Sequence, residues 1–137
     1  MKASIMSEKS ELYKKGLEMR KNLRSDAEFN KNASEYAEDP VSQEFIDVVT
    51  ETVFGALWSR PGLDVKTRTL ICVVSDIATG RSPELEIHLR FALRQGWTEK
   101  ELTETMFHMS GYVGVPLVRE ATFVAKKVFA EVRAEKA

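Results

Sequence analysis

One pattern recurs along this chain and constrains its fold more than any other. A cap residue is followed by apolar side chains at steps of three and four, and then by a glycine or proline stop. Asp39-Pro40 gives an N-cap and a proline in the first turn, and Phe45, Ile46, Val49, Val53 and Leu57 follow at helical spacing. Pro61-Gly62 marks a turn, and Asp64 caps the next helix, which runs to Ala78. That helix is expected to put Leu70, Ile71, Val73, Val74, Ile77 and Ala78 on one broad face, with Gly80 as its stop. Ser82-Pro83 reads as cap and proline of a further helix that Gly96 ends. Thr98 and Glu101 have the spacing of a capping box, and Gly111 to Pro116 breaks the helix they start. Val118, Ala121, Ala125, Val128 and Val132 then form a stripe with steps of 3, 4, 3 and 4.

Upstream, Ser7 to Leu23 reads as a charged, weakly amphipathic helix. Lys21 to Asp39 is polar and lacks strong periodicity, so it reads as a connecting arm with a short helix. No segment alternates like a strand; Ile71 to Val74 is β-friendly, but its neighbours continue a helical face. The expectation is an all-α bundle of about six helices. The 137 residues suit a single domain, 1–137, with residues 1–6 expected as a flexible extension.

Composition narrows the function classes. The net charge of −1 leaves no basic footprint for nucleic acid. No run approaches ~18 apolar residues, so no membrane partner is expected, and without an apolar leader the expected location is cytoplasmic. Cys72 is the only cysteine, which excludes an intrachain disulfide, a dithiol redox motif and a multi-thiolate metal site.

The helix Pro83–Gln95 carries the candidate chemistry. At ~100° per residue, Leu85, Ile87, Leu89, Phe91, Ala92 and Leu93 form an apolar arc, with Glu86, Arg90 and Arg94 opposite. Glu84 and His88, four residues apart, are expected to project into the apolar arc as neighbours. Two readings fit: an acid/base device, or a hydrogen-bonded pair that merely satisfies two half-buried groups. Arg60 offers a carboxylate fork or a helix cap, and Arg68 a second fork or a solvated charge. His108, between Glu104 and Tyr112, reads as a flank or interface histidine, and Cys72 as a packing residue. Trp58, Met106, Phe107 and Met109 read as core or interface first and pocket wall second. Glu84 and His88 have the spacing of helical metal ligands, but no third ligand accompanies them, so no metal is expected.

Four segments together resemble the carboxymuconolactone decarboxylase family: LWSRPGLD from Leu57 with KTRTL after it, ELEIHLRFAL from Glu84, GWTEKELTE from Gly96, and YVGVP from Tyr112. The resemblance runs from about Tyr13 to Val132. It implies an all-helical, alkylhydroperoxidase D-like fold, a homo-oligomer built on trimers or hexamers, and decarboxylation of γ-carboxymuconolactone in aromatic-compound catabolism without a cofactor. The alkylhydroperoxidase D-like branch carries C-x-x-C and a histidine. Here Arg81 and Glu84 stand at its cysteine positions and Thr69 where it has a glutamate, so its thiol chemistry has no thiol pair to use. Glu84 and His88 match the E-L-x-x-H of the decarboxylase branch. Arg24 and Glu28 stand in place of that branch's glycine and histidine, and Arg119 also departs from its pattern.

The resemblance implies a small anionic lactone as substrate. His88 and Glu84 would be the catalytic pair, Arg60 the carboxylate clamp, and Trp58, Tyr112 and Arg68 further substrate-binding residues. The alternatives are a lactone isomerase or keto-acid decarboxylase on the same scaffold, or a non-catalytic oligomeric binding protein.

Overall fold

The computed structural model describes residues 9–137, so the expected extension at 1–6 lies outside the described residues. Seven α-helices and one π-helical stretch make up the regular structure of that span, with no strand among the described residues. They form two compact units, one ending at Gly62 and the other spanning Leu63–Ala137.

The first unit holds α1 (Glu11–Asn22), α2 (Asp26–Tyr36), α3 (Pro40–Val49) and a π-helical stretch (Thr50–Leu57). The expected connecting arm is in fact mostly α2. Ser25 Oγ accepts from the Glu28 backbone N–H at 3.1 Å, and Glu28 Oε1 accepts from the Ser25 N–H at 2.7 Å. This reciprocal capping starts a helix that hydrophobic periodicity does not announce. Glu28 thus serves the local fold. Arg24 donates from Nη1 to the Arg20 carbonyl at 3.3 Å. Burial, with the adjacent Arg20 charge, pushes the Arg24 guanidinium down to about 10.

The apolar run that begins after Asp39-Pro40 does not stay α-helical. After Val49 it widens into the π stretch, where the Trp58 N–H reaches back five residues to the Val53 carbonyl at 2.9 Å. Helix α1 packs against this stretch at a glycine crossing. A Cβ on Gly16 would stand 1.8 Å from the Thr50 carbonyl oxygen, and one on Gly55 would stand 2.1 Å from that of Leu12. Only hydrogen fits at either position. Beside the crossing, Arg20 is 4% exposed. Its Nη1 and Nη2 donate to Thr50 Oγ1 at 3.2 Å and Asn32 Oδ1 at 2.7 Å, and its guanidinium lies over the Phe29 ring.

The second unit holds α4 (Val65–Thr79), α5 (Ser82–Arg94), α6 (Glu99–Val113) and α7 (Val115–Lys136). Their core contains Val73, Ile77, Leu85, Leu89, Leu102, Met106, Val118 and Val128. The stripe expected on α7 is the buried one, with Val132 partly buried against it. Asp64 caps α4 by accepting from the Thr67 N–H at 2.7 Å, and Thr98 with Glu101 forms the expected capping box on α6.

Two expectations change here. The buried side of α4 is Thr69, Val73, Asp76 and Ile77, whereas Ile71 and Ala78 are exposed. The true stripe is narrower than the apolar run and contains a carboxylate. Ser82 also does not cap α5: Arg81 holds the cap position, with no side-chain cap bond. The turn before it serves the preceding helix. Gly80, at φ 69°, turns the chain, and the Gly80 and Arg81 N–H groups close on the last carbonyls of α4.

The glycine crossing and the helix interior predict opposite signs for one substitution. Gly16→Ala forces a backbone clash and should cost ~1–3 kcal/mol or more. Gly111→Ala meets nothing within 4 Å and replaces a poor helix former inside α6, so it should stabilise by up to ~1 kcal/mol. Denaturant melts of the two variants beside the wild type check both.

Candidate functional site

Helix α5 presents His88 toward α4. Leu85, Leu89 and Ala92 fix the helix by entering the core, and His88 lies one turn after Leu85 on the adjoining face. On the outer side, Arg90 pairs with Glu131 at 2.9 Å and with Glu135 at 3.0 Å, and Lys127 pairs with Glu86. These exposed ion pairs tie α5 to α7 and contribute little each. The helix is held mainly by its apolar face.

The carboxylate that meets His88 is Asp76 of α4, with His88 Nδ1 and Asp76 Oδ2 2.5 Å apart. Asp76 is 6% exposed, while the His88 side chain keeps 21% of its surface open to solvent. The Phe91 ring meets the imidazole edge-on, with centroids 5.5 Å apart and planes inclined at 65°. The imidazole is thus held by a carboxylate and an aromatic ring, with part of its surface still open.

This corrects the expected pairing. Glu84 is exposed in the first turn of α5 and makes no hydrogen bond to His88. Side chains four apart on a helix can meet, but a free carboxylate at a helix N-terminus gains more by facing water near the positive end of the dipole. Sequence reasoning passed over Asp76 because it lies inside an apolar run. The available signal was its position: Thr69, Val73 and Asp76 follow at steps of four and three, so they share one helix face.

The other candidates lie as follows. In the first unit, Trp58 is buried and stacked on Phe54 with centroids 5.7 Å apart, and Arg60 is exposed in the turn after it. In the second, Arg68 is half-buried on the first turns of α4, and its Nε donates to the Leu63 carbonyl at 3.3 Å. Tyr112 is 75% exposed near the end of α6, and its ring lies 5.1 Å from that of His108. Thr69 is fully buried and donates to the Lys66 carbonyl. A small cleft opens beside Asp76, with Gly80, Arg81, Ser82, Leu117 and Glu120 on its walls. No group of three or more His, Cys, Asp or Glu side chains among the described residues has metal-binding spacing.

Cys72 lies one turn before Asp76 on α4. Burial, helped by the Asp76 charge, pushes its thiol up to about 11.

The carboxymuconolactone decarboxylase family model matches residues 43–127, a span that contains Asp76, Glu84 and His88. The chain belongs to that family. A 4-carboxymuconolactone decarboxylase of Acinetobacter baylyi is 35% identical over 117 residues, covering 85% of this chain and 86% of that protein. A nitrosuccinic acid decarboxylase of Metarhizium robertsii is 34% identical over 116 residues, covering 85% of this chain and 80% of that one. An uncharacterised protein of Paracoccus denitrificans is 39% identical over 83 residues, covering 59% and 62%. With these relatives the chain stands among the carboxy-lyases, and its helices agree with the all-α fold expected from the resemblance. No helix among the described residues is long and apolar enough to cross a membrane.

The raised thiol predicts slow chemistry at Cys72. At pH 8 a group titrating near 11 rather than 9 holds about 100-fold less thiolate, the nucleophilic form. A disulfide reagent at pH 8 should therefore modify the folded protein at least ~100-fold more slowly than the unfolded chain. Equal rates would show a reactive thiol.

Proposed function

We propose that this chain catalyses the cofactor-independent decarboxylation of a small carboxylate whose departing electrons the substrate itself accepts. A carboxylated butenolide such as γ-carboxymuconolactone is the leading candidate, and breakdown of aromatic compounds in the cytoplasm its setting. The observation that carries this reading is His88: a partly open imidazole, anchored by a buried carboxylate, within the family-matched span.

The chemistry needs few groups. The bond from the ring carbon to the carboxylate breaks, and CO₂ leaves. Its electron pair stays on the ring carbon and delocalises through the alkene to the lactone carbonyl. One proton is then added to the carbon framework. The protein has to hold carboxylates, stabilise the dienolate oxygen and deliver that proton. His88 can donate to the oxygen or to the carbon. An oxyanion donor of this kind contributes ~3–4 kcal/mol. Within the second unit, Arg68 is the proposed carboxylate-holding cation and Tyr112 a pocket wall; for Arg60 and Trp58 of the first unit a substrate-binding role rests on the resemblance alone. Glu84 is a further exposed carboxylate one turn before His88.

The Metarhizium relative supports a second member of the same substrate class. In nitrosuccinic acid a nitro group adjoins the carbon that would carry the electrons, so decarboxylation leaves a nitronate rather than a dienolate. Both substrates carry their own electron sink, so either chemistry needs the same assistance from the protein.

Turnover of the purified chain with γ-carboxymuconolactone and with nitrosuccinate, followed by ultraviolet absorbance and CO₂ release, tests the reading. His88→Ala should lower kcat by ~10²–10⁴ while leaving the melting temperature near that of the wild type. A variant that melts early and turns over normally would make His88 a structural residue.

The resemblance also implies a homo-oligomer, trimeric or hexameric. The large apolar side chains exposed on the second unit, Phe107, Tyr112, Val115 and Phe123, support it, because closed symmetry can bury such groups. Light scattering at micromolar concentration should give a multiple of the chain mass; a monomer would count against this assembly.

A further inference from the structure

We propose that Asp76 is the positioning residue of the site. It holds the His88 imidazole as the Nδ1–H tautomer and leaves Nε2 as the atom that meets the substrate. The part that concerns substrate rests on the decarboxylase reading above; the part that concerns the ring does not.

Three observations converge on Asp76. First, its side chain is 7% exposed and its Oδ2 lies 2.5 Å from His88 Nδ1. An ionised carboxylate only accepts hydrogen bonds, so the proton of that contact belongs to Nδ1. Second, the aspartate is itself immobilised. Its backbone carbonyl accepts the Arg81 N–H at 3.0 Å in the turn that Gly80 makes, and its neighbours Val73 and Ile77 are core residues. The side chain therefore leaves a locked helix end rather than a mobile loop. Third, the Phe91 ring meets the imidazole edge-on. A hydrogen bond on one nitrogen and an aromatic contact leave the ring little freedom to flip. Nε2 makes no hydrogen bond to any described residue, and the side chain keeps 21% of its surface.

The chemical consequence is specific. Free histidine favours the Nε2–H tautomer, in which Nδ1 is the acceptor. A carboxylate on Nδ1 reverses that preference. Nε2 then becomes the nitrogen that takes a proton from solvent, and the same nitrogen delivers it. The proton moves along one fixed direction, and Asp76 remains the acceptor on Nδ1. Such an aspartate stabilises the imidazolium that forms without becoming protonated itself. It acts through His88 and touches no substrate.

The test reads the tautomer directly. The chain has only two histidines, His88 and His108. Histidine-labelled full-length protein gives two imidazole patterns in nitrogen-15 spectra, and His108→Gln assigns them. Once the pH is raised until the His88 nitrogen signals show a neutral ring, His88 of the wild type should show a protonated Nδ1 and a bare Nε2. Asp76→Leu should move the pattern toward the Nε2–H form, and Asp76→Glu should retain it in part. A wild-type His88 resting as the Nε2–H tautomer overturns the proposal, whether or not any variant folds. So does a pattern unchanged in folded Asp76→Leu.

The kinetic arm uses Asp76→Asn, which keeps the shape and removes the charge. Its kcat should fall by about 10²–10⁴-fold with KM within a few-fold of the wild type, and Asp76→Glu should recover part of the loss. A folded Asp76→Asn with unchanged kcat overturns the positioning role. If the wild type turns over neither substrate, the decarboxylase reading fails, while the tautomer measurement still decides the role of Asp76.

Discussion

A carboxylate taken out of water is the constraint around which the second unit is arranged. Burying the Asp76 charge without a partner would cost several kcal/mol, a large part of the ~5–15 kcal/mol that holds a domain together. The hydrogen bond to His88 offsets that cost, but only if α4 and α5 meet with the two side chains in register. The turn between them is accordingly tight. Gly80 takes the left-handed conformation, the last carbonyls of α4 are closed by backbone N–H groups, and α5 starts at Ser82 without a side-chain cap. Leu85 and Leu89 then enter the core on either side of His88 in sequence. The polar pair and the apolar core depend on the same helix placement, which is why a charged group can persist there.

The first unit solves a different problem. Its helices α1 and α2 are polar, and α2 buries no residue fully. It gains contact by removing side chains rather than adding them. At Gly16 and Gly55 the backbone of α1 and that of the π-helical stretch meet directly. The Thr50 carbonyl, at the start of the π stretch, lies at the crossing, where Gly16 makes room for it. Arg20 fills the space beside this crossing with a flat, hydrogen-bonding group that Thr50 and Asn32 satisfy and the Phe29 ring covers. Its Nε has no partner, so this packing tolerates one unsatisfied donor.

Features written locally in the chain were legible; features that depend on two helices meeting were not. Asp39, Asp64, Thr98 and Gly80 each work through neighbours three or four residues away, and each does what its sequence context indicates. Ser25 with Glu28 was equally local, but the surrounding segment lacks an apolar stripe and so drew no helix assignment beyond a short one. The π stretch gave no sequence signal, because its apolar spacing is close to that of an α-helix over so few residues. Ile71 is apolar and yet half exposed; Asp76 is charged and yet buried. His88 stands out in the sequence as a candidate, but the carboxylate that meets it lies on another helix. A pair formed across two helices leaves no fixed spacing, so one sequence can supply the candidates without the match.

The inner face of α4 also bears on thiol chemistry. Moving two electrons through thiols needs a thiol pair, and the chain has a single cysteine. Thr69 on that face is buried and bonded to its own helix. The thiol, Cys72, is kept in its protonated form by burial and by the same Asp76 that contacts His88. One buried carboxylate therefore faces two groups: it discourages a second negative charge at Cys72 and contacts the His88 imidazole. A site biased in this way is suited to holding and passing a single proton. Decarboxylation of a substrate with its own electron sink asks for that and little more, since the electrons never leave the substrate and only one proton has to be supplied.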